Sequence, residues 1–249
     1  MKHEFSFLGQ FSYNDKGRDY WEVTDQKELH HFYKVLRLSS DEKICVFDGC
    51  GTKISGNVIS LSNKKKILVE AEVKNYCAPS QNSLIICLGA LKPSTMEELL
   101  PFLCELGCDE IHVFTQNSTA KFRTSEKALD RFKKIILSSC KQCKRFYIPR
   151  LLFWSSLEDM LPIVVNNTRN RYVLSPTANQ KVYDTILHAG RTCLILGGEK
   201  GLSVDEEELL IKAKFKAISL GENIFRSITA ALTSTVVFTF LREKIDRKK

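Results

Sequence analysis

The chain has 249 residues, 43% hydrophobic and 27% charged, with 12 Gly and 6 Pro, which excludes disordered, collagenous and fibrous classes and fits one large or two modest globular domains. Its net charge of +8 sits in one window: residues 121–150 hold ten Lys and Arg against Glu126 and Asp130, a concentration that points to a phosphate-bearing partner. The longest weakly polar stretch, Thr229 to Leu241, has 13 residues with four Thr and one Ser, short of the roughly 20 apolar residues that span a bilayer, so no membrane-spanning helix is expected.

In chain order, strands are predicted from Ile44 to Phe47, Lys53 to Leu61 and Ile67 to Val73, with turns at Asp48-Gly49-Cys50-Gly51 and Asn63 to Lys66. This meander predicts a small antiparallel barrel or sandwich over residues 1–75, a linker over 76–82 and a second domain over 83–249. Beyond the linker, strands and helices alternate. The pattern predicts strand Leu84–Leu91, helix Met96–Leu106, strand Glu110–Phe114, helix Ser125–Lys141, strand Arg171–Leu174 and helix Lys181–Ala189. Strand Thr192–Leu196, helix Val204–Ala213, strand Lys216–Leu220 and helix Ser227–Lys244 complete it. Such alternation predicts an α/β domain with a mostly parallel sheet, and runs such as Leu84 to Leu88 suit strands buried on both faces. Pro101 predicts a kink or a late start in its helix. Helix 125–141 places Leu129, Phe132 and Ile136 on a buried stripe and Lys127, Arg131 and Lys134 on another face, a basic ridge.

Nine cysteines form an odd set, and Lys2, His3 and Glu4 open the chain with no apolar run behind them, so reduced thiols, no secretory leader and a cytoplasmic location are expected. Cys104, Cys108, Cys140 and Cys143 lie in helical apolar patterns, and the five His lack metal spacing; no metal is expected. No Ser/His/Asp order supports a hydrolase, and no G-x-G-x-x-G follows a strand to support a dinucleotide-dependent oxidoreductase.

Ligands in open α/β sheets bind beyond the carboxyl ends of strands, which directs attention to two loops. Leu196-Gly-Gly-Glu-Lys-Gly201 runs from a buried strand to a helix that Ser203 can cap, and its glycines let main chain approach a ligand closely. Leu220-Gly-Glu-Asn-Ile-Phe-Arg226 precedes the most hydrophobic helix, with Ser227 as its expected cap. Arg226 needs a carboxylate, phosphate or carbonyl partner, which a structural salt bridge and a functional role satisfy equally. A helix through His31-Phe-Tyr-Lys-Val-Leu-Arg37 would gather His31, Lys34 and Arg37 on one surface.

These features, in this order, resemble the bacterial 16S ribosomal RNA uridine-N3 methyltransferases, the RsmE type of the SPOUT superfamily. The resemblance rests on His31 with Val35-Leu-Arg37, Phe47-Asp-Gly49, Lys92 with Met96-Glu97, Glu105-Leu-Gly107, Lys121, and Gln142-Cys143 with Arg145. Leu196-Gly197 with Glu199 and Gly201, and Leu220-Gly221 with Arg226, Thr229 and Ala230, complete it. It implies a PUA-like RNA-binding β-barrel followed by a SPOUT-type α/β domain whose carboxyl-terminal part forms a trefoil knot around S-adenosylmethionine, in a homodimer acting on 16S rRNA of the small ribosomal subunit. The implied cofactor residues are Leu174, Ser175, Pro176, Leu196, Gly197, Gly198, Glu199, Gly201, Leu220, Gly221, Ile224 and Thr229, with Arg226 catalytic. The implied RNA contacts are His31, Arg37 and Lys92 together with the ridge of Lys121, Arg123, Lys127, Arg131 and Lys134.

Several positions depart from the family pattern. Gly198 stands for Pro and Lys200 for Gly in the glycine loop, and Ile228 for Glu after Arg226. Pro101-Phe102 replaces a Gln-Lys pair, and Thr115-Gln116-Asn117-Ser118 replaces Thr-Glu-Arg-Ser. The alternative to an active enzyme is a catalytically impaired paralogue that keeps the fold as an RNA-binding or ribosome-assembly protein.

Overall fold

Every second residue is apolar in the pairs Trp21 and Val23, Ile44 and Val46, and Ile67 and Val69, so these side chains share one sheet face and pack as a core with Phe7, Ile54 and Val58. In a computed structural model that describes residues 4–62, 65–116 and 125–247, the strands carrying them form one six-stranded sheet. They are β1 (Ser6–Leu8), β2 (Gln10–Asp15), β3 (Arg18–Val23), β4 (Lys43–Phe47), β5 (Thr52–Ser62) and β6 (Lys66–Tyr76), ordered β1-β4-β5-β6-β3-β2. β1 pairs with β4 in parallel and the other ladders are antiparallel. The predicted meander is β4 to β6, and β1 to β3 are additions that the sequence pattern did not assign. At the 48–51 turn the Asp48 carboxylate accepts from the backbone of Cys50 at 2.7 Å and Thr52 at 3.0 Å, and Gly49 takes φ +74°.

Leu29 and Phe32 cover this core from α1 (Gln26–His30), which Asp25 caps, and from the π-helical turn His31–Val35 that continues it. The wider turn corrects the expected regular helix. Leu36 N–H bonds back to His31 O, the helix ends, and Arg37 follows in left-handed backbone at φ +55°, so it does not share a helical face with His31 and Lys34. The segment Cys140–Ile148 belongs to this same compact unit. Lys141 donates to the buried Glu28 carboxylate at 2.5 and 2.6 Å, and Gly49 O accepts from Ile148 N–H at 3.0 Å.

The second compact unit comprises residues 80–139 and those from Pro149 onward. Its elements are β7 (Leu84–Gly89), α2 (Pro93–Glu105), β8 (Glu110–Phe114), α3 (Glu126–Gln142), β9 (Arg150–Trp154), α4 (Leu157–Asn166), β10 (Asn170–Leu174), β11 (Thr192–Leu196), α5 (Val204–Lys212), β12 (Lys216–Ile218) and α6 (Ser227–Asp246). All ladders are parallel, in the order β12-β10-β11-β7-β8-β9. β7, β8 and β11 are buried at every residue, as strands covered on both faces are. β10, β11 and β12 are neighbours, so their carboxyl ends open together at one edge.

Three expectations need correction here. α2 starts at Pro93, not late, because proline at the first helical position has no N–H to lose, and Pro101 lies inside it. The helix expected over 181–189 is absent except for a 3-10 turn at Val182–Asp184. Its main chain is held by side chains instead: Asn170 bonds both His188 O (2.8 Å) and His188 N (3.0 Å), and Tyr172 donates to Ile186 O at 2.9 Å. β9 and α4 fill the unassigned stretch before β10, with Ser156 accepting from Asp159 N at 3.1 Å as helix cap. Among the described residues, no helix is long and apolar enough to cross a membrane, and no group of three or more His, Cys, Asp and Glu is placed to hold a metal ion.

Candidate active site

Three loops leave the carboxyl ends of β10, β11 and β12. After β11 the chain doubles back within five residues: Gly198 and Gly201 form an antiparallel bridge, with Gly201 N–H donating to Gly198 O at 3.1 Å. The hairpin is too tight for a side chain at its base, since a Cβ on Gly197 would lie 2.2 Å from Gly201 C. Ser203 then caps α5 in a reciprocal box with Glu206. After β10, Ser175 N–H bonds Ile218 O at 3.0 Å and its hydroxyl donates to Glu207 Oε2 at 3.3 Å. After β12 the loop runs to α6, where Ser227 departs from its expected role. Arg226 occupies the cap position, Ser227 is the first helical residue, and its hydroxyl donates to Gly198 O at 2.6 Å. That bond ties the loop after β12 to the loop after β11.

The three loops enclose a cleft of about 380 Å³. Its lining brings together Leu174, Ser175, Pro176, Leu196, Gly197, Gly198, Glu199, Gly201, Leu220, Gly221, Ile224 and Arg226. Thr229 is left outside, on the exposed side of the first turns of α6, where Ala230 reaches the cleft. The individual residues implied by the resemblance leave out Glu207, Asn223, Phe225 and Ser227, which also line it. Asn223 and Phe225 lie within the 220–226 loop that the sequence singled out as a whole; Ser227 carried no signal beyond its capping type.

Gly201 (φ +75°) and Gly221 (φ +149°) adopt backbone that favours glycine, and a Cβ on either would meet no protein atom within 4 Å. Bare main chain therefore faces the open cleft at both points. Two carboxylates, Glu199 and Glu207, and two cations, Lys200 and Arg226, share the lining. The Arg226 side chain is exposed and makes no ion pair among the described residues, so the structural salt bridge is not formed. The arrangement can hold a small molecule through main-chain groups, offer negative charge to its cationic parts and leave a guanidinium at the mouth.

The expected RNA contacts are distributed. His31 and Arg37 are exposed in the first unit. In the second, Lys127, Arg131 and Lys134 are exposed on α3 while Phe132 and Ile136 are buried, and Leu129 is half-buried. Arg131 also pairs with Glu97 at 2.6 Å. Lys92 precedes α2 and pairs with Glu199 of the glycine loop at 3.1 Å, which places it beside the cleft. Lys121 and Arg123 lie outside the described residues.

The strongest charge cluster stands at the other end of the sheet. Glu110 opens β8 and receives Arg150 at 2.5 Å, Arg191, and His112 at 3.1 Å, whose other ring nitrogen accepts from Trp154 at 3.0 Å. Burial works against its ionisation, yet the His112 and Arg150 hydrogen bonds and the two guanidinium charges prevail and hold the carboxyl at about 2.

Two family descriptions match the chain: an RNA methyltransferase domain over residues 78–239 and an RNA methyltransferase PUA domain over residues 23–72. The chain is 28% identical over 214 residues to the ribosomal RNA small subunit methyltransferase E of Buchnera aphidicola subsp. Schizaphis graminum, covering 82% of this chain and 84% of that protein. It is 27% identical over 226 residues to the protein of the same name from Mesomycoplasma hyopneumoniae, covering 90% and 95%. Among solved structures, it shares the fold of ribosomal RNA small subunit methyltransferase E from Neisseria gonorrhoeae, a structure bound to S-adenosyl methionine, with a TM-score of 0.83 at 22% identity over 96% of this chain and 98% of the other.

Proposed function

Because this chain belongs to the RNA methyltransferase family, we propose that it transfers a methyl group from S-adenosylmethionine to N3 of a uridine in small-subunit ribosomal RNA. The observation that carries this reading is the Ser227 to Gly198 hydrogen bond of 2.6 Å, which joins two glycine-bearing loops into one cleft with an uncommitted arginine at its mouth. The volume of about 380 Å³ lies within the roughly 300–1,000 Å³ of small-molecule sites. The bare main chain at Gly201 and Gly221 and the carboxylates of Glu199 and Glu207 suit a ligand with an amide-binding adenine and a cationic methionine moiety.

When bound, S-adenosylmethionine supplies an electrophilic methyl group on a sulfonium. The loops after β10, β11 and β12 would hold it through Leu174 to Pro176, Leu196 to Gly201 and Leu220 to Ile224. Uracil N3 carries its proton at neutral pH, so attack needs the anion, and Arg226 stabilises the negative charge shared by N3 and the exocyclic oxygens. The N3 proton leaves to water, since Ile228 offers no carboxylate in the first turn of α6. Positioning of N3 in line with the methyl group supplies the rest of the acceleration.

In this account residues 1–75 form the PUA-like RNA-binding module, 76–82 the linker and 83–249 the methyltransferase domain. His31, Arg37, Lys92, Lys121, Arg123, Lys127, Arg131 and Lys134 engage rRNA phosphates. The protein acts as a homodimer in the cytoplasm, where ribosomal subunits are, with the trefoil crossing implied by its resemblance. The test is incubation of purified protein with methyl-labelled S-adenosylmethionine and small subunits lacking the modification. Label recovered in N3-methyluridine is the expected result; donor binding without label in any RNA nucleoside contradicts it.

A further inference from the structure

Gln116 lies just past the carboxyl end of β8 and is 3% exposed. Its carboxamide reaches the glycine hairpin at both ends: Oε1 accepts from Gly198 N–H at 2.9 Å, and Nε2 donates to Gly201 O at 3.0 Å. Nε2 donates as well to Glu206 Oε2 at 2.8 Å, the carboxylate that caps α5. Only a neutral amide in this orientation offers an acceptor to the first partner and two donors to the others. The fit leaves no slack, since a Cβ on Gly198 would stand 2.7 Å from Oε1 and one on Gly89 would stand 2.1 Å from it. Gly198 then passes the constraint on, because its carbonyl receives the Ser227 hydroxyl. A partly buried chain of contacts thus runs from β8 through the glycine loop to α6.

We infer that Gln116 is a positioning residue for the methyl-donor cleft: its carboxamide fixes the Gly198–Gly201 hairpin in the shape that admits the donor. The inference rests on the proposal that this cleft is the donor site. Gly198 permits it, because a proline there would have no N–H to give Gln116.

The test is a double-mutant cycle on Gln116 and Glu206, read by calorimetric titration with S-adenosylmethionine and by separate KM values for donor and RNA. Gln116→Glu keeps the shape and the acceptor but loses both donors and sets two carboxylates together. Glu206→Gln, at a partly exposed position, keeps an amide oxygen where Oε2 accepts from Gln116 Nε2 and Ser203 N–H, so it serves as the control. Gln116→Glu is expected to weaken donor binding about tenfold, in line with loss of a charge-assisted hydrogen bond, and Glu206→Gln to change it less than twofold, with KM for RNA changed less than twofold in both. The paired protein relieves the carboxylate pair but leaves Gly201 O without a donor, so it recovers only part of the loss. Donor affinity within twofold of wild type in folded Gln116→Glu protein overturns the inference, as does full recovery in the pair. Wild-type protein that does not bind S-adenosylmethionine overturns the donor site itself, and this inference with it.

Discussion

At Arg226 a permanently charged group stands at the mouth of a cleft with no carboxylate committed to it among the described residues. Charge that is free in the resting protein is available to the developing anion, and removing one such donor costs about 10²–10³ in turnover. Arg226→Ala is therefore expected to lower kcat roughly 100-fold while leaving donor affinity within about twofold, as steady-state kinetics and titration will show. Glu110 does the opposite, spending its charge on structure. Its folded pKa of about 2 lies below the usual 4.5, so its contribution to stability is complete above the higher value and lost as pH falls through the lower. Glu110→Gln is expected to cost about 3 kcal/mol near neutrality, because Arg191 and His112 lose their buried partner. In denaturant titrations the gap from wild type should close between pH 4.5 and about 2; a gap that does not change with pH would mean that the carboxylate is not the source. The place of Arg226 in the cleft lining was legible in the sequence because it follows a glycine loop at a strand end. Ser227 was not, since its type fits a helix cap and only the folded backbone reveals that its hydroxyl crosses to Gly198.

Among the elements, α3 carries the case for RNA. Phe132 and Ile136 anchor its apolar face, which turns Lys127 and Lys134 outward, and neither lysine is ion-paired among the described residues. Each phosphate neutralised adds about 0.9 to the slope of log affinity against log salt. Lys127→Glu with Lys134→Glu should weaken binding to small-subunit rRNA and flatten that slope by about 2, with donor binding unaffected. An unchanged slope in filter-binding or fluorescence titrations removes α3 from the interface. Elements buried on both faces, such as β7 and β11, were readable because an unbroken apolar run admits few alternatives. The helix expected over 181–189 was misread because the partners of its main chain, Asn170 and Tyr172, come from β10 and are invisible to local periodicity. β1 to β3 are three to six residues long, and although Phe11 and Tyr13 alternate with polar residues in β2, that strand is largely exposed and gives a weak signal.

For the whole molecule, the alternation after residue 83 predicted the α/β architecture before any coordinates, and the charge excess near residues 121–150 pointed to a phosphate-bearing partner. What they did not give is non-local. Cys140–Ile148 groups with the first unit although it begins in the last turn of α3, and the strand order β12-β10-β11-β7 brings loops distant in sequence to one edge. The cleft exists because of that order, and the proposed chemistry depends on the cleft. The most direct measurement is mass spectrometry of nucleosides from small-subunit rRNA of cells lacking this gene. N3-methyluridine should disappear, return with the wild-type gene and stay absent with Arg226→Ala. Its persistence in the deletion strain would contradict the assignment of this chain to that methylation.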